Sequence, residues 1–447
     1  MNYPVWEVPI LGGGLLIGAI AILHVFVAHF AVGGGLYLVL TERRAYRTAD
    51  EGLLQYLRGH SRFFILVVLV FGAVSGVGIW WTIGLVTPPA TSTLLHVFVW
   101  AWAIEWVLFF VEIVAALVYY YGWDRLDRRS HLAVGWIYAA AAWLSLFVIN
   151  GILSFMLTPG RWLDLPLGSR SLWGAFANPT MLPSLIIRTM VAVALAGLYA
   201  LLTAAAIEDS DLRPRVTRYA AAWVLPAAVI LPLAGAWYIL AIPRLARAIS
   251  MGGSPPVTIF AGLSVAFSAV LFVFTFLGPF QRPQAFSLPF AVLLVLLGLG
   301  TTAVTEWVRE AVRKPYLIYG YMYSNGITHA EADRIDREGA LGGARWASVR
   351  EVQPENRLEA GEELYRLQCA SCHTREGFNS IRFAVLGWRE EFIDFQLRYL
   401  DELKGFMPPF FGTVKERQAL AAWLAGLTPR GRHPAAPELR EPVWGEP

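Results

Sequence analysis

The chain holds two cysteines, both in one pentapeptide, Cys369-Ala-Ser-Cys372-His373. A CxxC pair by itself suits a disulfide redox centre or half of a zinc site. The histidine that follows, and the lack of a second cysteine pair, point instead to covalent attachment of one haem c. In that reading Cys369 and Cys372 form the two thioethers and His373 gives the iron one axial nitrogen. A soft second donor would raise the potential, and Met407 in Gly405-Phe406-Met407-Pro408-Pro409-Phe410 is the candidate. The prolines hold the loop extended. The alternative is that Met407 fills a gap in the core.

The elements that must position these groups are helical. Of 447 residues, 56% are hydrophobic and 15% charged, against about 25% charged in soluble domains. The apolar residues fall into eight runs at 11–40, 62–86, 94–121, 132–157, 182–207, 219–242, 257–279 and 286–311. Each suffices to cross a lipid bilayer. The expected fold is therefore all-α, a polytopic bundle of about eight spans followed by a small soluble domain. The divisions read as a membrane domain over 1–311, a polar connector over 312–355, a cytochrome domain over 356–430 and a tail over 431–447. Tyr316, Tyr319, Tyr321 and Tyr323 in the connector suit a membrane interface. A net charge of +3 gives no reason to expect nucleic acid as a partner.

Arginines are distributed unequally between the loops. Arg43, Arg44, Arg47, Arg58 and Arg62 follow the first span; Arg125, Arg128 and Arg129 the third; Arg213, Arg215 and Arg218 the fifth; Arg282 the seventh. The alternate loops carry fewer, so the positive-inside rule puts both termini outside. Haem c attachment calls for the same side. The expected location is the bacterial inner membrane, with both termini and the cytochrome domain periplasmic. No cleavable signal peptide is expected, because residues 1–10 lack a basic segment.

Ionisable groups within spans are costly and are functional candidates by default. The first span carries His24 and His29, the third His96, Glu105 and Glu112, the fifth Arg188. The eighth ends with Glu306, Arg309, Glu310 and Arg313. A buried carboxylate beside a histidine can ligate metal, relay protons or form a hydrogen bond, and all three stay open for His24 and Glu105. His29 and His96 suit helix packing. The group on the eighth span has the i, i+3 and i+4 spacing of interfacial ion pairs.

The region around Cys369 resembles class I cytochromes c. The membrane region resembles subunit I of cytochrome bd oxidases. The resemblance lies in Ala103-Ile104-Glu105, Phe109-Phe110-Val111-Glu112 and Gly122-Trp123-Asp124-Arg125-Leu126. It continues through His131, Trp136, Asn150-Gly151, Thr158-Pro159-Gly160 and Glu310-Ala311-Val312-Arg313-Lys314-Pro315-Tyr316. It implies that His24 is an axial ligand of an active-site haem with Glu105 beside it. It implies further that Glu310 ligates a neighbouring b-type haem, that Arg313 pairs with propionates and that Glu112 belongs to a proton path. Glu105 and Glu112 carry the catalytic expectation.

Three departures shape the functional expectation. The two glutamates of the third span stand seven residues apart, where the family has eight. The family's low-spin haem needs a histidine where this chain has Ile186-Ile187-Arg188-Thr189, and a guanidinium cannot ligate iron. The long quinol-binding loop shrinks to the stretch from Pro243 to Pro256. The cofactors expected are one covalent haem c and two non-covalent haems, b-type, with a d-type for one of them left open. The expected function is electron transfer between an outer haem c and the membrane haems, as in a bd-like terminal oxidase fed by a cytochrome. The alternative is a non-catalytic haem subunit wiring a larger respiratory complex to quinone or soluble carriers. The partners in either case are the lipid bilayer and other respiratory subunits or cytochromes, with quinone and O2 as candidate small molecules.

Overall fold

The computed structural model describes residues 3–166 and 169–427; the expected tail at 431–447 lies outside them. Among these residues, eight helices are long and apolar enough to cross a membrane. They are Gly13–Thr48, Glu51–Val86, Val99–Tyr121, Arg128–Leu157, Met181–Ala204, Leu212–Ala241, Pro255–Phe280 and Leu288–Ala311. Exposed apolar side chains such as Val77, Trp106, Leu233 and Val265 suit a lipid surround, in which a bundle gains no hydrophobic energy by hiding them. The fifth span is the most enclosed.

Several span limits differ from the sequence reading, among them those of the first three spans and the start of the sixth at Leu212. The first helix runs on to Thr48, and the second starts at Glu51 under an Asp50 cap whose carboxylate accepts from Leu53 N–H at 3.0 Å. The added turns are amphipathic and bury Leu53, Tyr56 and Leu57, so a search for apolar runs passes over them. The third span starts at Val99, because Phe98 breaks the helix with φ −115°. His96 thus belongs to a separate short helix, Pro88–Val97, where it is exposed and turns back on the Ser92 carbonyl.

Close packing is set by glycine. A Cβ at Gly33 would lie 1.9 Å from the Ala192 carbonyl oxygen, so the first and fifth spans touch through their backbones. The end of the fourth span and the start of the fifth are joined by a buried polar knot. Thr158 meets Thr180 at 2.6 Å, and Asn150 donates to the Met181 carbonyl at 2.9 Å.

The chain separates into two units. Leu16–Tyr323 form one, and the residues up to Leu15 together with those from Ser324 onward form the other. The first ends in a two-stranded hairpin, Tyr316–Ile318 with Met322–Tyr323. In the second, helices Arg357–Gln368 and Val414–Gly426 cross at Gly361, where a Cβ would meet the Ala419 carbonyl at 2.3 Å. Glu416 is buried there. Its carboxylate accepts from the N–H groups of Ala340, Leu341 and Thr413 at 2.9–3.0 Å. It thereby ties residues 340–341 to the last helix.

Candidate functional site

Eight successive crossings would bring the start of each odd-numbered span to the side where each even-numbered span ends. His24 sits ~16 Å into the first span and Glu105 ~9 Å into the third, at ~1.5 Å per residue. Arg188 is in the first third of the fifth, and Glu306 and Glu310 lie at the end of the eighth. The ionisable groups singled out by sequence therefore gather toward one face of the bundle, with Glu112 deeper.

His24 faces the second span. Its Nδ1 lies 3.1 Å from Ser75 Oγ, whose own proton goes to the Phe71 carbonyl at 2.6 Å. The imidazole must then donate through Nδ1, which leaves the Nε2 lone pair for a metal and fixes the tautomer. Gly76 makes room for the ring, since a Cβ there would lie 3.2 Å from His24 Cε1. A π-helical stretch, Leu66–Gly72, precedes this contact, and such irregularities often mark functional positions.

Ser145 of the fourth span donates to Glu105 at 3.4 Å. Glu112 keeps one buried carboxylate oxygen without a partner. At the eighth span Glu310 pairs with Arg313, and with Lys314 at 3.7 Å. Arg313 is buried, and its Nε has no partner. An orphaned guanidinium N–H at this place fits an anionic oxygen such as a haem propionate. His29 is buried and bonds to the Val25 carbonyl. Arg188 is buried against Glu306 at 3.7 Å, and Glu306 also holds Arg309 at 2.8 Å. The fifth-span position thus carries an ion pair, and its donor set does not fit a haem ligand.

One group was not assembled by sequence reading, which named His131 within the family resemblance but neither Glu42 nor Tyr119. Glu42 and His131 are both buried and meet at 2.8 Å; Tyr119 donates to Glu42 at 2.7 Å, and His131 Nε2–H donates to the Tyr119 carbonyl at 2.9 Å. Glu42 lies just past the expected end of the first span at residue 40, outside every apolar run. A usable signal was the seven-residue spacing of Glu105, Glu112 and Tyr119, which puts them on one helix face.

In the second unit the helix Arg357–Gln368 ends at Cys369, and His373 N–H closes a turn onto the Cys369 carbonyl at 2.9 Å. His373 Nδ1 lies 3.0 Å from the Asn379 carbonyl, so it donates and leaves Nε2 free. Burial pushes the His373 pKa down, favouring the neutral form that ligates iron, and pushes the Cys369 thiol up to about 12. Gln368 brackets Phe411, donating to its carbonyl at 2.6 Å and accepting its N–H at 3.0 Å. This clamp ties the end of the Met407 loop to the residue before Cys369. The donors present therefore fit a covalently held haem.

The molecule is a multi-pass membrane protein with an appended cytochrome-type domain. Residues 15–242 match the family model of cytochrome bd terminal oxidase subunit I, and the chain belongs to that family. Residues 356–424 match the model of cytochrome c oxidase, cbb3-type, subunit III. The structure of bd oxidase from Geobacillus thermodenitrificans is similar over 72% of this chain and 92% of that one, with TM-score 0.58 and 19% identity, a likeness of fold. A comparison with the curated proteins finds no match. The two family assignments imply haem binding and a place in respiratory electron transfer.

Proposed function

We propose that this chain passes electrons between a haem c on the periplasmic side of a bacterial inner membrane and two non-covalent haems in the bundle, as the cytochrome-fed subunit of a bd-like terminal oxidase. One observation carries the reading. A cytochrome domain is fused to a bundle whose fifth-span ligand position holds Arg188, already paired with Glu306. The short link from Ile242 to Ser254, a turn of helix and a π-helical turn, leaves little room for a long quinol-binding loop.

The residues divide the work. Cys369 and Cys372 would attach haem c, and His373 and Met407 would hold its iron. His24 and Glu310 would ligate the membrane haems, and Arg313, with its unpartnered Nε, would pair with an anionic haem oxygen. Haem, once bound, supplies one-electron redox chemistry. Glu105, which accepts from Ser145, and Glu112, further along the same helix face, would hold and deliver protons where charge changes. Partner subunits in the same membrane complete the complex.

Haem counting combined with CO binding to the reduced protein tests this. One haem c and two non-covalent haems per chain, with one open iron that takes CO, are expected. Three membrane haems would contradict the role given to Arg188. Six-coordinate membrane haems that refuse CO would favour the non-catalytic subunit over the oxidase.

A further inference from the structure

The residues before the first span fold with the cytochrome domain, although in sequence they are more than 350 positions away from it. A turn closes Val8–Gly12, with Gly12 N–H on the Val8 carbonyl at 2.9 Å and Gly12 at φ +73°. From this turn the Ile10 carbonyl accepts the Phe378 N–H at 2.8 Å. Glu7 pairs with Arg366 at 3.1 Å, on the helix that leads into Cys369. Gly377 is a glycine for a reason of space. A Cβ there would lie 2.2 Å from the Ile10 carbonyl oxygen and 2.7 Å from its Cα.

The loop that this segment grips is the one that aims His373. Asn379, at φ +53°, donates through its side chain to the Cys372 carbonyl at 2.8 Å. The Asn379 backbone carbonyl receives His373 Nδ1–H. Thr374 Oγ1 donates to the Phe378 carbonyl at 2.9 Å, and Ile381 N–H to the Thr374 carbonyl at 2.8 Å. Fixing Phe378 N–H from outside fixes the residue next to the carbonyl that orients the imidazole. A hydrogen bond on the far nitrogen of a ligating histidine sets its orientation and basicity, and basicity at the iron tunes the potential.

We propose that Glu7–Gly12 form a strap that positions the His373 loop and thereby sets the potential of haem c. The strap runs straight into the helix that carries His24, so the ligand loop of one haem is bonded through the chain to the span of another. The inference rests on His373 being a haem c ligand, and the test separates the two claims.

The test uses the purified, haem-loaded complex with Gly377→Ala, which wedges a methyl against Ile10, and with Glu7→Arg, which sets like charges at Arg366. Four quantities are read: covalent haem by pyridine haemochrome, hydrogen exchange at the Phe378 amide, the haem c potential and the iron–histidine vibration. Both variants should keep haem c, speed Phe378 exchange, shift the vibration and raise the potential as the Asn379–His373 bond loosens. The expected change is three- to tenfold in the oxidised-to-reduced ratio at a fixed poise, where tenfold corresponds to about 59 mV for one electron. Should Gly377→Ala block haem loading, Glu7→Arg decides. Faster exchange with an unmoved potential and vibration would overturn the strap. So would a Phe378 amide that exchanges freely in the parent. Absence of covalent haem in the parent would instead overturn the haem c assignment beneath it.

Discussion

The two units solve the placing of metal-binding groups in opposite ways. In the cytochrome unit the chemistry is compact along the chain, because two thiols and a histidine share one pentapeptide and the fold needs to add only a second ligand, for which Met407 is the candidate. In the membrane unit the candidate ligands sit one to a span, and each is useful only once eight helices have been packed. A local motif keeps its meaning whatever surrounds it. A dispersed one takes its meaning from neighbours such as Ser75 beside His24, or Ser145 beside Glu105.

If that contrast is right, damage should stay within each unit. The largest effect is expected from Cys372→Ser with Cys369→Ser, which should abolish covalent haem while the membrane haem spectra persist. Pyridine haemochrome after acid–acetone extraction reads this directly. Next in size is Glu310→Ala, which should remove or perturb one membrane haem and leave haem c unchanged. Loss of haem c in that variant would mean that the units are not independent.

Met407→Ala should keep haem c attached but replace the sulfur with water or leave the iron high-spin, and its potential should fall. An unaltered low-spin spectrum would show that another residue is the ligand. A smaller effect is expected from Glu416→Gln. It weakens charge-assisted bonds to three backbone N–H groups, and should destabilise the cytochrome unit by about 1–3 kcal/mol. Denaturant melts followed at haem c should show this, with the membrane haems unmoved.

The same contrast explains what sequence could reveal. Eight apolar runs were readable because a bilayer demands ~20 apolar residues per span, and CxxCH because its chemistry is contiguous. The amphipathic turns over residues 41–61 were not, since half of their surface is polar, and Glu42 was lost with them. His96 was misassigned to the third span because the break at Phe98 lies in backbone angles, not in hydropathy. The N-terminal strap left no trace at all. It depends on one carbonyl meeting one amide across the chain, and glycine at 377 signals it only once Ile10 is seen beside it.

The central claim is that electrons move within this chain between haem c and a membrane haem. Rapid photoreduction of haem c in the purified chain, with no quinone present and each haem followed at its own absorption, tests it most directly. The account predicts that haem c is reoxidised as a membrane haem becomes reduced, and that Glu310→Ala slows this while leaving haem c itself intact. Haem c that stays reduced beside oxidised membrane haems, despite a favourable potential difference, would contradict it.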